Sequence, residues 1–75
     1  MTASPLPDGT YDAIVVDASE GSEGTTALEL AVLAGVYKGE VVALQGPAGA
    51  DPLDLLGLPA TITVAAGQPQ VRLEP

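Results

Sequence analysis

Four side chains are the only ones in this chain suited to gripping a nucleic-acid strand: Tyr11, Tyr37, Lys38 and Arg72. Aromatic rings give bases a surface to stack on, and cations neutralise the phosphates. Tyr37 and Lys38 are adjacent in "GVYKGE", residues 35–40, whereas Tyr11 and Arg72 lie far away in sequence. Two cations would release only about two counterions, short of the several that useful affinity at physiological salt requires. Ten carboxylates oppose them and leave a net charge of −8, which repels a phosphate backbone. Nucleic acid is therefore disfavoured as a partner.

The carboxylates are the second group with chemical capacity. "DASEGSEG" places Asp17, Glu20 and Glu23 close together in a small, Gly-punctuated stretch. Calcium needs several oxygen ligands at enforced spacing, and this pattern lacks the EF-hand arrangement. A solvated acidic loop is expected, and no metal site. Catalysis has less to work with. The chain has no histidine and no cysteine, so imidazole acid–base chemistry, thiolate nucleophiles and disulfides are all excluded. Paired carboxylates act as acid and base only where a cleft separates their pKa values. "GPAGAD" lacks the Gly-Lys-Ser/Thr ending of a phosphate-binding loop. The expectation is a non-enzymatic protein with no cofactor and no catalytic residues.

These residues must be positioned by a small domain. Seventy-five residues bury roughly 60% of the surface exposed when unfolded, and 47% of them are hydrophobic, too many for a disordered acidic tail. With no Phe and no Trp, the core must be aliphatic. "MTASPLPDG" has no basic start and no apolar run, so no secretory signal is read there. No segment approaches the ~20 apolar residues that span a bilayer. No membrane association is expected, and a cysteine-free chain suits the cytoplasm.

Residues 1–7 read as a flexible lead-in and 8–75 as one domain. "DGTYDAIVVDA" reads as the first strand, Asp8-Gly9 supplying the turn and Thr10 to Ala18 the β-branched run, with Tyr11, Ala13 and Val15 on one face and Ile14 and Val16 on the other. Apolar residues on both faces fit a strand shared between two layers. "TTALELAVLAG" alternates Leu28, Leu30 and Val32 against Glu29, and is a strand despite its good helix formers. Gly35 and Gly39 bracket a turn, which makes Lys38 a solvated turn residue and Tyr37 a cover beside it. "EVVALQG" follows as the third strand.

"DPLDLLG" carries the sharpest local signal. Asp51 is the N-cap, Pro52 the first helical residue, Asp54 lies in the first turn and Gly57 at the C-terminal stop. About two turns are expected, with Leu53, Leu55 and Leu56 buried. "ATITVAAG" and "QPQVRLEP" complete five strands, and Arg72 could pair with Glu40 or Glu74. The fold class is mainly β: a five-stranded OB-like barrel, β-β-β-α-β-β, whose helix lies between strands three and four. The other architecture compatible with this order is an open sheet or roll with the helix across one face.

"LPDGTYDAIVVDA" and "GVYKGE" together resemble a group of small phage- and prophage-type proteins. In that group a Pro-Glu/Asp-Gly-x-Tyr start leads the first strand, and a Gly-x-Tyr-x-Gly-Arg turn joins strands two and three. The resemblance runs over residues 6–42 and rests on Pro7, Gly9, Tyr11, Gly35, Tyr37 and Gly39. It implies an OB-like fold related to single-stranded-DNA-binding proteins. Two departures weigh against carrying the activity over. Glu40 stands where the group has a basic residue, and "GPAGADPLDLLG" replaces a longer aromatic-containing segment.

The function expected is a small acidic binding or adaptor module that contacts protein, through a groove or a strand edge, or a second copy of itself as a homodimer. One alternative is a degenerate single-strand-binding protein using Tyr11, Tyr37, Lys38 and Arg72 on one face. Another is an acidic DNA mimic, which would array Asp12, Asp17, Glu20, Glu23, Glu29 and Glu40 on one surface.

Overall fold

The computed structural model describes residues 6–46 and 48–74; residues 1–5 of the expected lead-in, together with Pro47 and Pro75, lie outside them. Five strands run β1 (Gly9–Glu20), β2 (Thr26–Val32), β3 (Val41–Gly46), β4 (Pro59–Ala65) and β5 (Gln68–Leu73). One short helix, α1 (Pro52–Leu55), lies between β3 and β4. All pairings are antiparallel, in the order β3-β2-β1-β4-β5. The sheet curls into a half-barrel of the OB type, the fold class that the element order implied.

β1 organises the sheet because it serves two neighbours. Its first half, Gly9 to Ile14, pairs with β4, and Ala13 to Glu20 pairs with β2. Between the two uses, Val16 is left without a partner in a β-bulge. The bulge shifts the side-chain alternation by one place. Ala13 and Val15 point into the core, while beyond the bulge Asp17 points out and Ala18 packs inward beside Leu28. The outer face of β1 is therefore not a second apolar layer: Val16 is exposed and Ile14 is only half-buried.

The core is aliphatic, as the composition requires. Leu28, Leu30 and Val32 of β2, Ala60, Ile62 and Val64 of β4 and Val42 of β3 form one cluster with Ala13 and Val15 of β1. The β2 alternation is as the sequence pattern gave it, with Glu29 outside. Leu6 is 3% exposed and joins this core, so the packed chain starts two residues before the boundary read from the sequence.

α1 has Asp51 as its N-cap, whose carboxylate accepts from the Leu53 amide at 3.0 Å, and Pro52 in its first turn. It is a single turn, not two. Leu56 already has extended backbone angles, and Gly57 takes a left-handed φ of 80°. Of the three leucines expected inside, only Leu55 is buried; Leu53 is 76% and Leu56 44% exposed. A helix that short presents one side chain to the barrel end. The chain then returns at once to β1, where the Gly57 amide donates to the Val15 carbonyl at 2.9 Å and the Val15 amide to Leu58 at 3.0 Å.

Candidate functional site

The four candidate nucleic-acid contacts do not gather on one face. Tyr11 and Tyr37 meet edge to face, with ring centroids 6.0 Å apart, and both are half-buried against the core. The Tyr11 hydroxyl donates to the Pro7 carbonyl at 2.5 Å. Lys38 is exposed in the β2–β3 turn, where its amide donates to the Gly35 carbonyl at 3.2 Å. Gly35 and Gly39 take φ values of 85° and 93°, so the turn is the one that their positions required. Arg72 lies two strands away. It is opposite Thr61, itself opposite Asp12, whereas Tyr11 shares a row with the inward-facing Ile62 and Val71. Side chains alternate across a strand, so Arg72 and Tyr11 are on opposite faces. The pairing of Arg72 with Glu74 is not made: Glu74 accepts from the Thr61 hydroxyl at 3.0 Å.

The carboxylates also divide. Asp12, Asp17 and Glu29 face outward, while Glu20 is opposite the buried Thr26 and Glu40 is bonded to the buried Val32. Among the described residues no three of His, Cys, Asp or Glu come together as a metal-holding group.

The other candidate feature is the edge strand β3. Hydrogen-bonded and non-bonded pairs alternate in an antiparallel ladder. The Val32 amide donates to Glu40 at 2.9 Å, which makes this a bonded pair. Ala31/Val41, Glu29/Ala43 and Ala27/Gln45 are therefore non-bonded pairs, and Val41, Ala43 and Gln45 direct their N–H and C=O groups away from β2. The spatial order of the sheet makes β3 an edge strand, and among the described residues no other strand pairs with that edge.

The same reasoning applied to β5 finds a guarded edge. The Glu74 amide donates to the Pro59 carbonyl at 2.9 Å, so the backbone polar groups of Leu73, Val71 and Pro69 are directed away from β4. Pro69 has no N–H to offer, and the exposed Arg72 places a charge on the strand. β3 and β5 approach one another without pairing, across a cleft of about 440 Å³ bounded by Leu44, Gln45, Pro69, Gln70 and Val71. Proline at this seam removes a donor that closure would need, which explains why the barrel stays open. β3 has no such device. "VVALQG" contains no charge, no proline and no bulge, and Val41 is 50% exposed.

Beside this edge, the outer face of β1, β2 and β3 forms an open groove of about 520 Å³. Asp17 stands directly opposite Glu29, and Glu29 opposite Ala43, in one row across its floor. One Asp17 oxygen accepts from the Ala18 amide at 2.9 Å. The next row holds Ser19, Ala27 and Gln45, and Gly21, Ser22 and Thr25 form the end wall. No helix among the described residues is long and apolar enough to cross a membrane. No family model, curated protein or solved structure matches the chain, so its function must be argued from this edge and this groove.

Proposed function

We propose that this chain is a non-enzymatic protein-binding module that takes up an extended segment of a partner on the free edge of β3. The observation that carries the reading is the contrast between the two edges. β5 is protected by Pro69 and Arg72, whereas among the described residues no strand takes up the outward N–H and C=O groups of Val41 and Ala43, and those of Gln45 open onto the cleft before β5. Main-chain hydrogen bonds supply the affinity in such complexes, and alternate side chains supply selectivity. A cytoplasmic setting belongs to the same proposal, because a cysteine-free chain suits it.

Amide hydrogen exchange tests it. In the free protein the Val41, Ala43 and Gln45 amides exchange fast while Val42 and Leu44 are protected by β2. An extended peptide, acetyl-Thr-Val-Lys-Val-Thr-amide, is expected to slow the first three. Unchanged exchange at millimolar peptide overturns the reading.

A second reading is a relative of the single-stranded-DNA-binding proteins, as the resemblance of residues 6–42 implies. It is favoured by one observation, the meeting of Tyr11 and Tyr37 beside an open pocket of about 400 Å³. Its test is the anisotropy of a labelled single-stranded oligonucleotide at low salt. Saturable binding that weakens as salt rises supports it, and no binding at low salt removes it.

A further inference from the structure

We infer that the segment received on β3 is cationic, with a Lys or Arg placed opposite Ala43. This rests on the strand-addition reading above and specifies its occupant. A strand laid on β3 extends the rows of the outer face. The row through Ala43 continues to Glu29 on β2 and Asp17 on β1. An incoming residue opposite Ala43 stands two strand spacings, about 9–10 Å, from the Glu29 backbone. The Ala43 methyl leaves the path across β3 open. A lysine or arginine stem lies along that path and brings its charged head to the Glu29 carboxylate, with Asp17 next along the row.

The acidic row is the one feature of this face with a standing electrostatic cost. Like charges directly opposite on neighbouring strands repel, and an incoming cation relieves them. The flanking rows define the rest of the segment. Val41, Ala31 and Ile14 form an apolar row on one side, and Gln45, Ala27 and Ser19 a small polar row on the other. The segment that fits therefore carries its cation on the outward side, flanked at alternate positions by residues such as threonine, whose methyl suits the apolar row and whose hydroxyl suits the polar one. A second copy of the chain is a poor occupant. Its own β3 has no cation, and each copy carries a net charge of −8. The phosphate backbone of a nucleic acid fails on the same ground.

The test compares three peptides on isotope-labelled protein by NMR titration: acetyl-Thr-Val-Lys-Val-Thr-amide and its analogues with norleucine or glutamate at the centre. The lysine peptide is expected to bind about fivefold tighter than the norleucine peptide, with a gap that narrows as salt is added. The glutamate peptide is expected to bind weakest. Glu29→Gln, and independently Asp17→Asn, should reduce the lysine advantage and leave the norleucine peptide unaffected. Equal affinity of the lysine and norleucine peptides, with the β3 amides protected by both, overturns the cationic inference and leaves strand addition standing. Protection by none of the three overturns strand addition and this inference with it. Protection of the β3 amides by raised protein concentration alone identifies a second copy as the occupant and also overturns it.

Discussion

Ala66 is held at a φ of 52°, next to Gly67 at 75°, in the two-residue turn joining β4 to β5. Two consecutive positive φ values define a type I′ hairpin turn, which alanine enters at a cost of about 1–2 kcal/mol. Ala66→Asn gives the turn the residue that tolerates this conformation. Relief of about 1 kcal/mol is expected to raise Tm by about 4–8 °C, measured by calorimetry. An unchanged Tm would mean that no strain is stored there. Residue-scale features were legible where the side chain itself carries the signal. Asp51 caps a helix, and Gly35 and Gly39 take the positive φ that only glycine adopts freely. Ala66 carries no turn signal, because its backbone angles are imposed by the strands that it joins. Asp8 was legible only as half of a turn. Its carboxylate accepts from the Ala66 and Gly67 amides at 3.0 and 3.1 Å, partners 58 and 59 residues later in the chain.

At the scale of elements, β2 could be read directly because one face is core and the other solvent, and Leu28, Leu30 and Val32 record this. β1 could not be read to its end. Strict alternation from Val15 would send Asp17 into the core, and the sequence alone does not reveal the bulge that prevents it. The bulge makes a sharp prediction. Deletion of Val16 closes the bulge: Val15/Leu30 and Asp17/Glu29 become consecutive pairs, with Asp17 still outward and β2 in register, but β1 loses the bend that carries it from β2 to β4. The deleted chain is expected to fold and to lose about 1–3 kcal/mol, whereas Val16→Ala should stay within about 0.5 kcal/mol of the parent, because Val16 is half-exposed. Denaturant unfolding monitored by circular dichroism distinguishes these outcomes. A deletion variant that folds with native stability would show that Val16 has no such role. The β3 edge was invisible for another reason. Whether a strand is an edge depends on barrel closure, and closure fails where Pro69 meets Leu44 and Gln45, a meeting that no local pattern encodes.

Across the whole molecule, an aliphatic core inside a strongly acidic shell fits a domain that stays soluble while one edge remains open. The barrel is made of two hairpin-linked blocks, β1-β2-β3 and β4-β5, whose backbones are joined by the β1–β4 ladder, with α1 packed on β1. Each block is local in sequence, but their union pairs Gly9 with Val64 and Ile14 with Pro59. The Asp8 clamp reaches from the start of β1 to the far turn of the second block. It therefore bears on time as well as on stability. Chain entropy places the docking of the blocks late, and a contact made after the barrier acts on escape rather than on approach. Asp8→Ala is expected to leave the refolding rate within a factor of about two and to speed unfolding severalfold, as read from the two arms of a stopped-flow chevron. Slower refolding with unchanged unfolding would instead make the clamp part of the nucleus. If the clamp acts late, the lifetime of the folded state is set by a carboxylate at one end of β1, remote from the edge where a partner would bind.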